Sequence, residues 1–207
     1  MKVLLINGSP HPSGTTAVAL AEVAGAIQKN GIQTETLQLG TKPVRGCIAC
    51  KKCRQLGKCV FEDDPVNEWI AKAQEADGLV IGSPVYYASP NGALLAALDR
   101  MFYAAGPTLA FKPGAAIVCA RRAGTTASLD ALNKYFLISQ MPVVASWYWN
   151  MAFGNNAQEV TQDAEGLAIM RGVGENMAWV LKSIEAGRKM GVQQPQRDKV
   201  VRTNFIR

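Results

Sequence analysis

The chain has 207 residues, 48% of them hydrophobic and 18% charged, which allows it to bury the core of one domain and excludes a disordered segment. The formal net charge of +6 suits anionic ligands, and because the Lys and Arg residues are scattered, no nucleic-acid partner is expected. The first apolar run is too short for a signal peptide and no apolar run could span a membrane, so a cytoplasmic protein without a membrane partner is predicted.

Short apolar runs alternate with segments of helical spacing along the chain. The predicted elements are a strand over 2–7, a helix over 15–29, a strand over 33–39, a helix over 65–76, a strand over 78–83, a helix over 89–104, a strand over 115–120, a helix over 125–140, a strand over 142–147 and a long helix over 161–187. The tail from Met190 is polar and basic and is predicted to be extended.

Strands that alternate with helices in this way form a parallel sheet with helices on both faces. Five strands fit the flavodoxin-like order 2-1-3-4-5, which makes the fold class α/β, a three-layer sandwich around a five-stranded parallel sheet. No linker or internal repeat divides the chain. A single domain over 1–207 is therefore predicted, with a cysteine-containing insertion loop at about 40–64 that is too long to be a mere connection.

The loop between the first strand and the first helix has the composition of a phosphate-binding loop. Helix N-terminal N–H groups lack intrahelical partners and favour anions, and Gly8 and Gly14 let the backbone approach one. Hydroxyl groups without a lysine suit a terminal monophosphate ester, as in FMN, and the P-loop and dinucleotide motifs are absent. His11, the single histidine, lies either against the phosphate or in solvent. The predicted phosphate-binding residues are Ser9, His11, Ser13, Gly14, Thr15 and Thr16.

Two more loops follow the third and fourth predicted strands and end at the same edge of the sheet, where open α/β sheets bind ligands. The first is aromatic and proline-rich and can hold a flat ring by stacking. The second has two arginines that either stabilise negative charge on a reduced flavin, meet a nucleotide phosphate or are solvated. The predicted ring-binding residues are Pro84, Val85, Tyr86, Tyr87, Arg121, Arg122, Gly124 and Thr125.

Together these motifs resemble the NADPH-dependent FMN reductase family of flavodoxin-like proteins, and the resemblance covers nearly the whole chain. It implies FMN bound at a subunit interface of a homodimer or homotetramer, with NAD(P)H as the electron donor. The adjacent residues Asp99 and Arg100 are interpreted as a surface or dimer pair. The segments that carry the resemblance are Gly8-Ser9-Pro10 with Ser13-Gly14-Thr15-Thr16, Ser83-Pro84-Val85-Tyr86-Tyr87 with Pro90, Leu98-Asp99-Arg100, Trp149-Asn150 and Thr203-Asn204-Phe205.

Four of the five cysteines, Cys47, Cys50, Cys53 and Cys59, lie in one loop with the spacing C-x2-C-x2-C-x5-C. Four thiolates can hold a 4Fe-4S cluster, since each iron takes one cysteine. The alternatives are a zinc site or metal-free thiols, including a redox disulfide between Cys47 and Cys50. The segment resembles that of the iron-sulfur flavoprotein branch, which implies a 4Fe-4S cluster that passes electrons to FMN. Cys119 lies in a predicted strand and is interpreted as an inert core thiol.

The sequence therefore predicts an FMN-dependent oxidoreductase that moves electrons from a reduced donor to a small acceptor such as a quinone or flavin. An electron carrier between protein partners, reduced by a ferredoxin-like protein and without turnover of a small substrate, is the first alternative. A metal-free flavin-binding module whose thiols sense redox state is the second. No catalytic side chain is predicted, because a flavin carries the chemistry of such reactions itself.

Overall fold

The computed structural model describes residues 1–196 and Thr203, so part of the tail predicted to be extended, with Asn204 and Phe205, lies outside the described residues. Helices cover Thr15–Lys29 (α1), Cys53–Leu56 (α2), Val66–Glu75 (α3), Gly92–Leu109 (α4), Thr125–Ile138 (α5), Ala157–Val160 (α6) and Ala164–Lys189 (α7). Strands cover Lys2–Asn7 (β1), Gln33–Gln38 (β2), Gly78–Tyr86 (β3), Ser89–Pro90 (β4), Gly114–Ala120 (β5) and Met151–Phe153 (β6).

One sheet has the order β2-β1-β3-β5-β6, and all neighbours on that path are parallel. Counted among the parallel strands alone, this is the predicted order 2-1-3-4-5. The sheet has one strand more than predicted, because β3 continues past its predicted end at Ser83 and turns back as the antiparallel strand β4. The central strands are buried on both faces, as parallel strands covered by helices must be.

The last parallel strand is not where the sequence predicted it. The apolar run over 142–147 contributes only an isolated bridge between Val143 and Gly114, and the strand at the sheet edge is Met151–Phe153. Its partners are Val118 to Ala120 of β5. The run over 142–147 has the composition of a strand, but only its first residues lie beside β5.

Two helix starts also differ from prediction. Ser89 and Pro90 form β4, and α4 begins only after Asn91, whose side chain accepts a hydrogen bond from the Ala93 N–H at 3.0 Å. The predicted final helix over 161–187 is two helices, α6 and α7, with Asp163 as the N-cap of the longer one. Both helices begin after a residue whose side-chain oxygen accepts a hydrogen bond from an N–H of the first turn.

The helices cover the two faces of the sheet and enclose two apolar cores. One core lies under α1 and α7, and the other lies under α3, α4 and α5. The cysteine loop crosses the second face, where Val44 and Phe61 pack against that core and Cys59 belongs to it. Within residues 1–196, no helix is both long and apolar enough to cross a membrane.

Candidate functional site

A cleft of about 730 Å³ opens at the edge of the sheet where the parallel strands end. It lies between the loops that follow β1, β3, β5 and β6, which is where open α/β sheets bind ligands. Among the described residues that line it there is one arginine and no acidic side chain, so the cleft suits an anion. The predicted residues that line it are Ser9, His11, Ser13, Gly14, Thr15, Pro84, Val85, Tyr86 and Arg121.

The loop after β1 is held by hydrogen bonds to both neighbouring strands. The Gly8 N–H donates to the Gly82 carbonyl at 2.8 Å, and a Cβ on Gly8 would lie only 2.8 Å from that same oxygen. The Asn91 amide donates to the Gly8 carbonyl at 2.9 Å, and the Gln38 amide donates to the Ser9 carbonyl at 2.5 Å. These three hydrogen bonds tie the loop to the strands and to the start of α4.

The N-terminus of α1 points donors into this cleft. Its N-cap is Gly14, which has no side chain to cap the helix, and the N–H groups of Thr15 and Thr16 find no acceptor in the part of the chain that the structure describes. Unpaired donors at the positive end of a helix dipole bind phosphate groups. This end of the cleft is thus suited to a phosphate.

Five predicted site residues lie outside the lining. The Thr16 side chain is buried against the sheet, where its Oγ1 has no oxygen or nitrogen partner and the Cys119 sulfur is its neighbour. Tyr87 is fully exposed at a hairpin tip, and Arg122 is exposed beside Arg121. The residues that remain predictions without a place in the lining are Thr16, Tyr87, Arg122, Gly124 and Thr125.

A tight hairpin forms the wall of the cleft that follows β3. Tyr86 pairs with Ser89, and the two residues between them, Tyr87 and Ala88, have positive φ angles of 51° and 56°. Consecutive left-handed residues are the signature of a type I′ turn, which matches the twist of the two strands. The turn fixes the direction in which Val85 and Tyr86 face the cleft.

The sequence did not indicate the fourth wall. It consists of Gly154 to Gln158, which follow β6, and Asp163 fixes it by accepting the Phe153 N–H at 2.7 Å and the Gly166 N–H at 2.9 Å. Because the last strand was predicted too early, this loop was not placed at the edge of the sheet. The Gly154-Asn155-Asn156 turn signal was the sequence feature that could have located it.

Cys119 also lines the cleft, at the end of β5. Burial, the largest cause, raises the pKa of its thiol to about 12, and the nearby Thr15 and Thr16 hydroxyls oppose the shift. The thiol is therefore neutral at physiological pH and is a poor nucleophile. Its position at the base of the cleft is that of a packing residue.

The four clustered cysteines surround a second, much smaller cavity of about 20 Å³ on the face of the sheet that α3 and α4 cover. All four are free thiols, so Cys47 and Cys50 form no disulfide. Among the described residues, no three His, Cys, Asp or Glu side chains are grouped closely enough to hold one metal ion between them. Cys47 and Cys50 are exposed, whereas Cys59 is buried.

The loop around this cavity has an unusual backbone. Ala49 and Lys51 have positive φ angles of 52° and 62°, and the Ala49 N–H donates to the Cys47 sulfur at 3.4 Å. Burial raises the pKa of the Cys53 thiol, and negative charge on the other three thiolates adds to this effect, while a backbone hydrogen bond lowers the pKa. Negative charge in this loop therefore disfavours the Cys53 thiolate, and bound metal would offset that charge.

Arg100 and Tyr103 of α4 complete the lining of the cysteine cavity. The interpretation of Asp99 and Arg100 as a surface or dimer pair is wrong, because only Asp99 is exposed and the two side chains have different partners. Arg100 is buried and pairs with Asp64, and Asp99 accepts a hydrogen bond from the Tyr135 hydroxyl at 2.5 Å. The sequence spacing could not show which of the two faced the core.

The fold and the cleft together define an open α/β protein with a cleft suited to an anionic ligand beyond the ends of its strands. Comparison with known proteins identifies the family. The chain belongs to the NADPH-dependent FMN reductase family, which residues 1–156 match, and to its iron-sulfur flavoprotein branch. It is therefore an oxidoreductase, with FMN as its cofactor.

Two curated relatives and one solved structure illustrate this kinship. The chain is 35% identical to an iron-sulfur flavoprotein of Methanocaldococcus jannaschii over 89% of this chain and 100% of that protein. It is 28% identical to the iron-sulfur flavoprotein of Methanosarcina thermophila over 91% and 99%. It also matches the structure of a flavodoxin from the domain Archaea, with a TM-score of 0.60 and 14% identity over 88% and 99% of the two chains. The last match confirms the flavodoxin-like fold.

Proposed function

We propose that the cleft at the sheet edge holds FMN, with the phosphate at the N-terminus of α1. The free N–H groups of Thr15 and Thr16 and the hydroxyls of Ser9, Ser13 and Thr15 would bind the phosphate oxygens. The observation that carries this proposal is the uncapped helix end inside a cleft whose described lining residues include no acidic side chain. His11 is exposed at the rim and would supply a further donor.

The rest of the cleft would hold the flavin ring. The hairpin residues Pro84 to Tyr86 offer an apolar wall, and the exposed Arg121 follows the neighbouring strand β5. A guanidinium there stabilises negative charge on a reduced flavin. Bound FMN would supply hydride and single-electron chemistry, so the residues need only bind the cofactor, orient it and leave one face accessible.

We propose a pyridine nucleotide as the electron donor and a small molecule, such as a quinone or a second flavin, as the acceptor. Membership of a family described as NADPH-dependent supports the donor. A cytoplasmic location and an assembly of two or four subunits are parts of the same proposal. The exposed aromatic side chains of Trp147, Tyr148 and Trp149 support the assembly, because clustered exposed aromatics are typical of interfaces.

We further propose that Cys47, Cys50, Cys53 and Cys59 hold a 4Fe-4S cluster. All four thiols line one cavity, and the left-handed residues Ala49 and Lys51 bend the loop around it. A cubane takes one thiolate at each iron, so its ligands stand farther apart than those of a single ion. The relatives named iron-sulfur flavoprotein support the cluster, which would pass single electrons when bound.

Thr15→Glu tests the phosphate site. The carboxylate would lie where the phosphate is proposed to bind, and we expect FMN affinity to fall by more than roughly a hundredfold through charge repulsion. The variant should fold, because an acidic residue in the first turn of a helix is favourable. The measurement is a flavin fluorescence titration of FMN-free protein. The control is Thr41→Glu at an exposed position outside the cleft. Unchanged affinity in Thr15→Glu would contradict the site.

A second candidate function is an electron carrier that turns over no small substrate. The exposed basic side chains around the cysteine cavity favour it, because they would attract an acidic redox protein such as a ferredoxin. Anaerobic mixing with NADPH and with reduced ferredoxin distinguishes the two functions. Steady NADPH oxidation supports the reductase, whereas flavin reduction by ferredoxin alone supports the carrier. The basic residues in question are Lys51, Lys52, Arg54 and Lys58.

A further inference from the structure

Arg100 is a fully buried cation in the apolar layer between the sheet and the cysteine loop. Its side chain is 0% exposed, and that of its partner Asp64 is 3% exposed. Burying two charges carries a large desolvation cost, which is recovered only when the geometry is good and the remaining donors are paired. The hydrogen bonds of Arg100 therefore indicate why this buried ion pair is present.

All five N–H groups of the Arg100 guanidinium have acceptors. Nη1 and Nη2 each donate one hydrogen bond to the Asp64 carboxylate, and the distance from Nη2 to Oδ1 is 3.0 Å. The Arg45 carbonyl accepts at 3.1 Å and the Phe61 carbonyl accepts at 3.5 Å. The fifth donor, Nε–H, points at the Cys59 sulfur, with 3.2 Å between the two atoms.

Cys59 is the buried one of the four clustered cysteines, and its main chain is as fixed as its sulfur. The Cys59 N–H donates to the Asn67 side-chain oxygen at 2.8 Å, and the Asn67 amide donates back to the Cys59 carbonyl at 3.1 Å. Asn67 lies on α3 and Arg100 lies on α4. Two helices of the rigid core therefore hold this one thiol, whereas Cys47 and Cys50 lie on an exposed loop.

We propose that Arg100 is the positioning residue of the cluster: its Nε–H bond holds the Cys59 thiolate in place and makes the cluster easier to reduce. The inference rests on the cluster of the proposed function. One-electron reduction adds negative charge to a group that is already anionic through its four thiolates. A hydrogen bond to a ligand sulfur stabilises that added charge, and such bonds help to set the potentials of iron-sulfur clusters.

Asp64 determines how the buried ion pair affects the cluster potential. Its carboxylate neutralises the guanidinium, so the buried pair has no net charge and acts on the cluster mainly through the Nε–H dipole. The fork of Arg100 satisfies Asp64 and Cys59 at once, which the single ammonium group of a lysine cannot do. A purely structural ion pair would stabilise the loop but would leave the cluster potential unchanged.

The test compares the wild type, Asp64→Asn and the double variant Arg100→Met with Asp64→Asn, each purified anaerobically with FMN and cluster. Asparagine keeps the side-chain oxygen that accepts the Val66 N–H at 3.2 Å, and the double variant leaves no unpaired buried charge. The readout is the cluster midpoint potential from a mediated dithionite titration followed by EPR. We expect the reduction equilibrium constant of the double variant to fall about tenfold, which is 59 mV for one electron. Asp64→Asn should shift the potential upward, because its Arg100 charge is uncompensated.

Each outcome either supports or overturns the inference about Arg100. Equal potentials and equal iron contents in all three proteins overturn the inference and leave the proposed function intact. A folded double variant that retains its iron and has the lower potential supports the inference, whereas one that loses its iron is replaced by Arg100→Lys and judged by the potential of that variant. Wild-type protein without about four irons and four sulfides overturns the cluster and this inference together. If the double variant does not fold, Arg100→Lys takes its place, and a potential equal to that of the wild type overturns the inference.

Discussion

Gly124 combines a backbone conformation and a close neighbour that both exclude a side chain. Its φ angle is +88°, and a Cβ added there would lie 2.6 Å from the Cα of Ala88 at the tip of the β3–β4 hairpin. The sequence indicated Gly124 as a ring-binding residue. That role stays a prediction, and the structure shows that Gly124 lets the hairpin that forms one wall of the cleft pack against the start of α5.

Gly124→Ala should therefore lower the free energy of unfolding by about 2 kcal/mol, from the cost of a left-handed alanine and the displaced hairpin. Urea unfolding of FMN-free protein, followed by circular dichroism, measures this. Gly25→Ala is the matched control, because Gly25 lies inside α1 with nothing within 4 Å of an added Cβ. That variant should gain about 0.5–1 kcal/mol. Equal stabilities of the two variants would contradict the close approach.

At the scale of elements, β6 and the start of α7 depend on one carboxylate. Asp163 accepts the Phe153 N–H at 2.7 Å and caps α7 by accepting the Gly166 N–H at 2.9 Å. Between these two contacts the chain forms the fourth wall of the cleft. A single side chain thus fixes an edge strand, a helix start and a binding loop.

Asp163→Ala should lower the free energy of unfolding by about 1–2 kcal/mol, through loss of the cap and of the strand contact. It should also weaken FMN binding several-fold, because the loop over 154–158 loses its anchor. Asp163→Asn keeps a hydrogen-bond acceptor, so its stability and its FMN affinity should lie between those of the wild type and of Asp163→Ala. Asp130→Ala, at an exposed position on α5, is the control for both urea unfolding and FMN titration. If Asp163→Ala behaves like Asp130→Ala, the anchor has no such role.

The elements that the sequence predicted best are those whose residues decide their own structure. The strand over 2–7 and the helix over 15–29 have the predicted bounds, since an unbroken apolar run and an Ala-rich helical pattern are local signals. β6 has three residues and forms because β5 offers it a pairing edge, with Val118 opposite Met151. Such a strand depends on non-local contacts, so no pattern within 142–147 or 151–153 could decide between the two runs.

At the scale of the whole molecule, the two candidate sites lie on different parts of one rigid frame. The cleft proposed for FMN opens at the carboxyl edge of the sheet, and the cysteine cavity lies on the face covered by α3 and α4. Helix α4 joins them, because Asn91 at its start bonds to Gly8 in the phosphate loop and Arg100 contacts Cys59. Nine residues of helix rise about 14 Å, so the frame sets the separation of the two sites.

Sequence motifs predicted which residues form the two candidate sites better than they predicted the tertiary contacts around those residues. Ser9, Ser13 and Thr15 line the cleft as expected, because a loop after a central strand must end at the sheet edge. The Asp64–Arg100 pair is separated by 36 residues, and only the packing of the cysteine loop onto α4 brings it together. Contacts of that kind are tertiary, and no spacing rule indicates them.

One carboxylate on the edge strand also links three elements of the frame and gives the fold a dependence on pH. Glu35 of β2 pairs with Lys2 of β1 and, at 2.5 Å, with Lys72 of α3, and these hydrogen bonds hold the pKa of Glu35 below its usual value of 4.5. The stabilisation is present above the unfolded-state pKa and is lost as pH falls through the lowered, folded-state pKa. Glu35→Gln should therefore be less stable than the wild type by about 1 kcal/mol at pH 7. The difference should shrink below pH 4.5 in urea unfolding measured across pH. Glu185→Gln, whose partners lie on its own helix, should show a smaller effect, and a Glu35→Gln difference that stays constant to low pH would refute the linkage.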